Sequence, residues 1–442
     1  MNAATAPRPA PPPGSMSNAA YEQRLRDAVM DAAPVLNSRL LPVSVRSAAL
    51  NRALAAGLPQ LRDDLWRYAD LRYLGSAALA PVAPEPAESL QGAILPLLPP
   101  RIEGFTRLVY GNGRLQAALS DACDALQPSA LPLVPERTRH ERFGWLNDAF
   151  ATDIARLVVA QPLKLEVIFA ATPGTTRQAV YPRLELQLAP GTPLVLVERH
   201  LGSTGAEGTI NAAIQIHAGA GSQVQHLRWQ GLATDAQFLD TVQLAVDRDA
   251  RYALTQLSMG ARTARTSLRA ALFGAGAQFD LRAVALAAGR RTLDHSLLVD
   301  HLGRHTASNQ VFRAIARGQA HIACRSRVEI ATSAAGASSQ QSLKGLLDGA
   351  GAEIDLRPQL EIHTDEVRAS HGATTGALDP AMQFYLHSRG LDADTARALL
   401  EWAFLEDALA GIEPAALRLA AERGAAAALG SAIAGELVEE PR

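Results

Sequence analysis

Cysteine is nearly missing from this sequence: Cys123 and Cys324, about 200 positions apart, are the only two in 442 residues. A disulfide framework is excluded, and so is a metal or cluster site built from four thiolates of this chain alone. Aromatic residues make up only 5%, few for the aromatic platforms that line glycan-binding grooves. No window carries a sustained run of lysine or arginine, and the formal net charge is −2, so no nucleic-acid partner is expected. No apolar run reaches the roughly 18–20 residues that span a bilayer. The first 20 residues, MNAATAPRPAPPPGSMSNAA, lack an apolar signal-peptide core and read as a disordered Pro/Ala-rich tail. A cytoplasmic protein without a membrane partner is the expectation. Nucleophile-elbow and Walker-lysine motifs are missing too, and Gly274-Ala275-Gly276 precedes a strand pattern rather than opening a helix.

What is present divides into three textures. Residues 21–151 are mostly helical in pattern. Tyr21–Ala33 carries Leu25, Ala28 and Val29 on one face before Pro34 ends it, and Arg46–Ala56 and Leu61–Leu71 repeat the spacing. Asn112-Gly113 predicts a hairpin turn between short strands, and Trp145–Phe150 another short helix. Residues 379–442 are helical again. Asp379 caps a helix with Pro380 in its first turn and Gly390 just past its end. Asp392 caps the next helix, Ala393–Gly411, with Ala396, Leu399, Leu400, Ala403 and Phe404 as its core stripe. Trp402, Leu405 and Leu409 form a second apolar stripe, to be covered by the Ala-rich tail Leu417–Ala434 or by a partner protein.

Between them, residues 152–378 show short alternating runs such as Ile210–Ile216, Val224–Trp229, Val242–Val246 and Phe279–Leu286. A small residue precedes several of these, at Ser222, Ala250, Ala277, Ala320 and Ala352. Their spacings of about 28, 27, 43 and 32 suit the repeat of a solenoid. Such units cannot bury an apolar face singly, so neighbours must stack. A mainly β fold follows: a right-handed parallel β-helix flanked by the two helical regions. Val224, Leu227, Leu254, Leu257, Phe279, Leu281, Ile322 and Ile354 are its expected core. The long interval reads as an insertion holding Asp294, His295, Asp300, His301 and His305, set at solvated corners rather than around a metal.

The segment Arg357–Asp379, RPQLEIHTDEVRASHGATTGALD, opens as a half-buried strand through Leu360, Ile362 and Val367. It then runs into Ser370-His371-Gly372-Ala373-Thr374-Thr375-Gly376, where two glycines suggest a turn holding His371 at a rim. This segment resembles the PQLEI…DDV…SHGAT.G stretch that ends the core of the SufB/SufD family of iron–sulfur cluster assembly scaffolds. Trp66-Arg67-Tyr68, the Asn112-Gly113-Arg114 turn and Leu146–Phe150 resemble N-terminal elements of its SufD members in the same order. Asp294-His295, His301, Ser308, Gln310, Phe312 and Arg313 resemble a framework stretch of the family. The chain departs from the pattern at Ala369, where cysteine is common.

The resemblance implies a subunit that is not itself an enzyme. It would pair with a SufB-like paralogue through the β-helix, or with a second copy when alone, and dock a SufC-like ABC ATPase on the C-terminal helices. A transient iron–sulfur cluster would be shared with the SufB-like partner, with none bound by this chain alone. His371, flanked by Ser370 and Gly372, is the implied cluster and metal ligand at that interface, and Trp402, Leu405 and Leu409 are the candidate ATPase-docking residues. The alternative is a β-helix carbohydrate-active enzyme, a lyase or hydrolase, using carboxylates among Asp355, Glu361, Asp365 and Glu366.

Overall fold

The computed structural model describes residues 17–33, 36, 41–59, 66, 79–127, 141–172, 178–205, 208–430, 435 and 438. Its helices are α1 (Asn18–Ala32), α2 (Val43–Ala56), α3 (Ala87–Ile94), α4 (Arg142–Phe150), α5 (Pro380–Ser388), α6 (Ala393–Leu409) and α7 (Ala415–Leu429). The first strands are β1 (Thr106–Gly111), β2 (Arg114–Leu115), β3 (Ala155–Val159), β4 (Leu163–Ala171), β5 (Ala179–Val180), β6 (Arg183–Leu188) and β7 (Pro193–Gly202). There follow β8 (Thr209–Ala218), β9 (Gln223–Gly231), β10 (Gln237–Val246), β11 (Arg251–Ser258), β12 (Thr263–Leu272) and β13 (Gln278–Ala287). The last are β14 (Thr292–His301), β15 (Ala307–Arg317), β16 (His321–Ile330), β17 (Ala337–Asp348), β18 (Glu353–Ile362) and β19 (Val367–Ala377).

From β6 onward the chain passes back and forth between two sheets. One runs β19-β17-β15-β13-β11-β9-β7-β4-β1-β2 and the other β18-β16-β14-β12-β10-β8-β6-β3. Every named pairing is parallel except the β1–β2 hairpin, so the fold is the expected parallel β-helix. Strand alternation sets its core. Val224, Leu254, Phe279, Leu281 and Ile322 point inward and are at most 1% exposed, and Ile354 packs on the same cluster.

Leu227 and Leu257 correct the expected core. They fall on the opposite parity, face outward, and are buried with Val284, Leu286 and Ile315 beneath α6 and α7. A strand with both faces covered is apolar on both, so alternation alone could not assign these two.

The repeat also needs correcting. Ser222, Ala250 and Ala277 precede strands of one sheet, whereas Ala320 and Ala352 precede strands of the other. The long interval is therefore one and a half turns of the helix with no insertion, and β14, with His295 and His301, is a regular strand. Small residues recur because corners stack rung on rung: Ser222, Ala250, Ala277 and Ala320 are fully buried. At one corner the left-handed position passes through Gly221, Asp249, Gly276 and His305, and each N–H bonds the next rung's carbonyl at 2.8–3.0 Å. Gly336 continues the row at φ +79°, where a β-carbon would come within 2.3 Å of His305 Nδ1.

The N-terminal helices cover one side of the first rungs. Asn147 on the buried α4 donates to the carbonyls of Pro182 and Asn211, at 2.9 and 2.7 Å. Arg46 donates to Ala149 and Ala151 carbonyls at 2.8 and 3.0 Å, placing a cation at the negative end of α4. The Asn112-Gly113 turn forms as expected, with both residues at positive φ and Tyr110 paired to Leu115. The expected tail lies outside the described residues up to residue 16, but α1 begins inside it, with Ser17 accepting from the Ala20 N–H. Leu61–Leu71 also lies outside them, save the buried Trp66.

At the other end, Asp379 and Asp392 cap α5 and α6 as expected. Of the expected core stripe of α6 only Ala396 is fully buried, and the second stripe carries the packing. Trp402, Leu405 and Leu409 are its buried side, whereas Ala403 is exposed and Phe404 half-buried. The reason is the outward apolar face of β13 and β15, on which α6 lies, with Leu417, Ala421, Ala425 and Leu429 of α7 completing the cluster. Arg313–Asp407 and Arg317–Glu401 ion pairs join the same surfaces. Among the described residues no helix is long and apolar enough to cross a membrane.

Candidate functional site: the open end of the solenoid

Among the described residues nothing covers the final rung. In β18, Ile354, Leu356, Pro358 and Leu360 are half-buried, where their counterparts on inner rungs are fully buried, and Ile362 is 41% exposed. In β19, residues 370–377 are all exposed. Beside this edge α5 buries none of its residues and presents Met382, Phe384 and Tyr385 at 52%, 74% and 54% exposure.

His371 lies in this rung, but not in a turn. β19 is continuous through Ser370-His371-Gly372, and neither Gly372 nor Gly376 has positive φ. Pairing with β17 over the whole stretch keeps the backbone extended, and a β-carbon on Gly372 would meet nothing within 4 Å. Register then decides direction. Val367 and Ala369 pack on the solenoid core, so His371, of the same parity, belongs to the inward row, and Ser370 and Gly372 to the outward one. Ala369, in the family's cysteine position, is the register partner of the buried Ser339, and His371 that of the buried Gln341.

Behind both partners the interior is polar, which the pattern of apolar residues did not reveal. Gln341 Nε2 donates to the Ser326 carbonyl and Oγ, each at 2.9 Å, and Ser326 Oγ donates to Gln310. Ser339 bonds Ser308 at 2.9 Å, and Ser308 bonds His301 Nε2 at 2.8 Å. The signal was there: Gln310, Gln341 and His371 recur one rung apart at inward positions.

The expected corner histidines divide. His305 sits at a corner, but His295 and His301 are buried inside, 2% and 0% exposed. Burial pushes both imidazoles down to about 4. Asp294 and Asp300, on the outward face, pair with Arg265 and Arg269. These residues are framework.

Deeper in the solenoid, Glu198 is fully buried among His200 (2.6 Å), His226 (3.2 Å) and Arg228 (2.8 Å), and Arg228 bridges to Asp240 at 2.9 Å. Burial alone would raise the Glu198 carboxyl, but Arg228 and the two imidazoles hold it well below its usual value. Burial lowers His226. Arg228 neutralises one of the two carboxylates, and the cluster is enclosed.

Glu329, Glu361 and His363 bring ligand atoms within 4.8 Å of one another on the outer face. Arg327 already pairs with both carboxylates, at 2.8 and 2.6 Å, and neutralises one of the two charges. Cys324 is buried in the core, which pushes its thiol up. Of the histidines singled out in the sequence, His371 and His305 are exposed, and His371 is the one on the open rung. Trp402, Leu405 and Leu409, the candidate docking residues, are 4%, 0% and 0% exposed; they hold α6 to the solenoid and offer no surface of their own.

Residues 169–404 match the family model for the SUF system FeS cluster assembly SufBD core domain. The iron–sulfur cluster assembly protein SufD of Escherichia coli is 25% identical over 367 residues, covering 80% of this chain and 85% of that protein. An iron–sulfur cluster assembly SufBD family protein of Synechocystis is 28% identical over 415 residues, covering 85% and 88%. With the family model spanning more than half its length, the chain belongs to the SufB/SufD family of iron–sulfur cluster assembly proteins.

Proposed function

We propose that this chain is a non-catalytic scaffold subunit of a cytoplasmic Suf complex, and that the uncapped rung at β18 and β19 is where it joins a SufB-like paralogue. The observation that carries the reading is the exposed inward row of that rung. A β-helix that ended in its own cap would bury Leu360, Ile362 and Val367; here a second β-helix can continue the stack by pairing with the free edges of β18 and β19. His371 then lies at the joint, and its imidazole serves as one ligand to iron of the nascent cluster, with thiolates from the partner. The cluster is cargo assembled between two chains.

A SufC-like ABC ATPase docks on the C-terminal helices. Because Trp402, Leu405 and Leu409 are occupied internally, the contact falls to exposed apolar groups, above all Phe384 and Tyr385 on α5. ATP-driven movement of the ATPase would then reach the neighbouring open rung. The carbohydrate-enzyme alternative draws no support from the geometry: Asp355 is paired with His321 and Glu361 with Arg327.

The test is His371→Ala in the complex reconstituted with both partners. Complex formation should persist and the iron and sulfide content of the purified complex should fall, whereas Cys324→Ser should leave it unchanged. A full cluster yield from His371→Ala would remove the assignment.

A further inference from the structure

We infer that Gln341 is the residue that orients His371, its side-chain Oε1 accepting a hydrogen bond from one imidazole N–H; this rests on the ligand role proposed for His371. Gln341 and His371 are register partners on adjacent parallel strands, so their side chains leave the same face about 4.8 Å apart. Gln341 is 2% exposed and lies beneath the exposed His371.

The amide orientation of Gln341 is fixed by its other contacts. Its Nε2 is 2.9 Å from the Ser326 carbonyl oxygen, which can only accept, so this atom must be the NH2 group. Oε1 is then the other amide atom, and it is buried without a hydrogen-bond partner. A buried carbonyl oxygen left unpaired is destabilising, because it gives up its hydrogen bonds to water and gains none. On one side of Gln341 in the inward row stands Gln310, whose Oε1 already receives the Ser326 hydroxyl and the Gln341 amide and whose Nε2, also buried without a partner, makes no hydrogen bond to Gln341 Oε1. On the other side stands His371. The row is apolar at Leu254 and Leu281 and turns polar at Gln310 and Gln341 as it reaches the last strand.

Neutral imidazole has one N–H and one lone pair. Donating the N–H to Gln341 fixes the tautomer and ring plane and leaves the other nitrogen as an acceptor for a metal, the usual arrangement behind a ligating histidine. Ser326 and Gln310 in turn hold Gln341, so the ligand is positioned by a buried chain beneath the exposed edge. Gln341 is a positioning residue in this account and touches no iron.

The experiment reads the ring directly. The full chain is labelled with 15N-histidine, and the His371 resonances, assigned by their loss in His371→Gln, are followed at a pH where the ring is neutral. One tautomer should dominate in the wild type. Gln341→Met, close in shape and lacking the acceptor, should shift the tautomer ratio about five- to tenfold, as expected for one hydrogen bond of ordinary net strength. Gln341→Glu, which keeps an acceptor, should restore it. An unchanged ratio in Gln341→Met would overturn the proposal and leave Oε1 to water or to the neighbouring Gln310 Nε2. Should Gln341→Met fail to fold, Ser326→Ala, which loosens the support without removing the acceptor, should give a smaller shift in the same direction; no shift there would count equally against it. In the reconstituted complex, Gln341→Met with His371→Ala should lower cluster yield no further than His371→Ala alone. A tautomer shift with normal cluster yield in His371→Ala would keep this inference and sink only the ligand role.

Discussion

The indole of Trp229 fills the space that a side chain at position 424 would need: a β-carbon on Gly424 would lie 2.0 Å from Trp229 Cη2. Trp229 stands on the outward face of β9, with the Arg199 guanidinium 5.1 Å from its ring centroid, and α7 approaches this closely only because residue 424 is glycine. Gly424→Ala sets two effects against each other. Helix propensity favours alanine by up to about 1 kcal/mol, whereas overpacking costs about 1–3 kcal/mol. At 2.0 Å the ring must move, so the clash should win. A lowered midpoint in thermal or urea unfolding is expected, and an unchanged or raised one would show that the joint gives way freely.

Trp402→Ala should act on stability before it acts on any partner. The ring is 4% exposed and buried with Leu405, Val284 and Ile315, and truncating such a residue costs about 3–5 kcal/mol. Phe384→Ala, at 74% exposure, should leave the melting temperature within error and weaken ATPase binding. Comparing the two variants by denaturation and by titration with the ATPase subunit separates core from contact. Equal loss of binding without loss of stability in Trp402→Ala would contradict the packing described.

Acid should destabilise the fold through His295 and His301. Their folded-state values are about 4 against about 6.5 unfolded. Between these values the unfolded chain binds more protons than the folded one, so stability falls as pH drops. The contribution is fully present above pH 6.5 and is lost toward pH 4, on the order of 3 kcal/mol for each ring. Urea unfolding from pH 7 to pH 4.5 should show this slope, and His295→Gln with His301→Gln should flatten it. A wild-type slope retained in the double variant would place the sensitivity elsewhere.

Glu198→Gln should be among the costliest single changes. It removes the carboxylate that faces Arg228, His200 and His226 inside the solenoid, leaving Arg228 to Asp240 alone. Breaking a buried pair by removing one partner typically costs about 3–5 kcal/mol. Loss of less than 1 kcal/mol would mean that the interior repacks or hydrates around the change.

The amino-acid sequence by itself determined the class of fold, the helix caps at Asp379 and Asp392 and the Asn112-Gly113 turn, and it singled out the segment around His371 as a candidate. These are local matters: period-two alternation, side-chain capping and backbone preference act within a few residues and can be read there. Tertiary structure decided what depends on neighbours distant in the chain. Leu227 and Leu257 can be apolar on the outward face because helices roughly 135–200 residues later cover them, which no alternation within β9 or β11 encodes. The second stripe of α6 became its main buried side because its partner is the outer face of β13 and β15, although Ala396 of the first stripe is buried too. The apparent insertion dissolved once small residues from two different corners were seen to belong to two different sheets. His371 was legible as a candidate, but its place in an inward row above Gln341 was not. Strand register is fixed by hydrogen bonds to β17 about 30 residues earlier, and only that pairing turns a histidine in a glycine-rich stretch into one held over a buried amide.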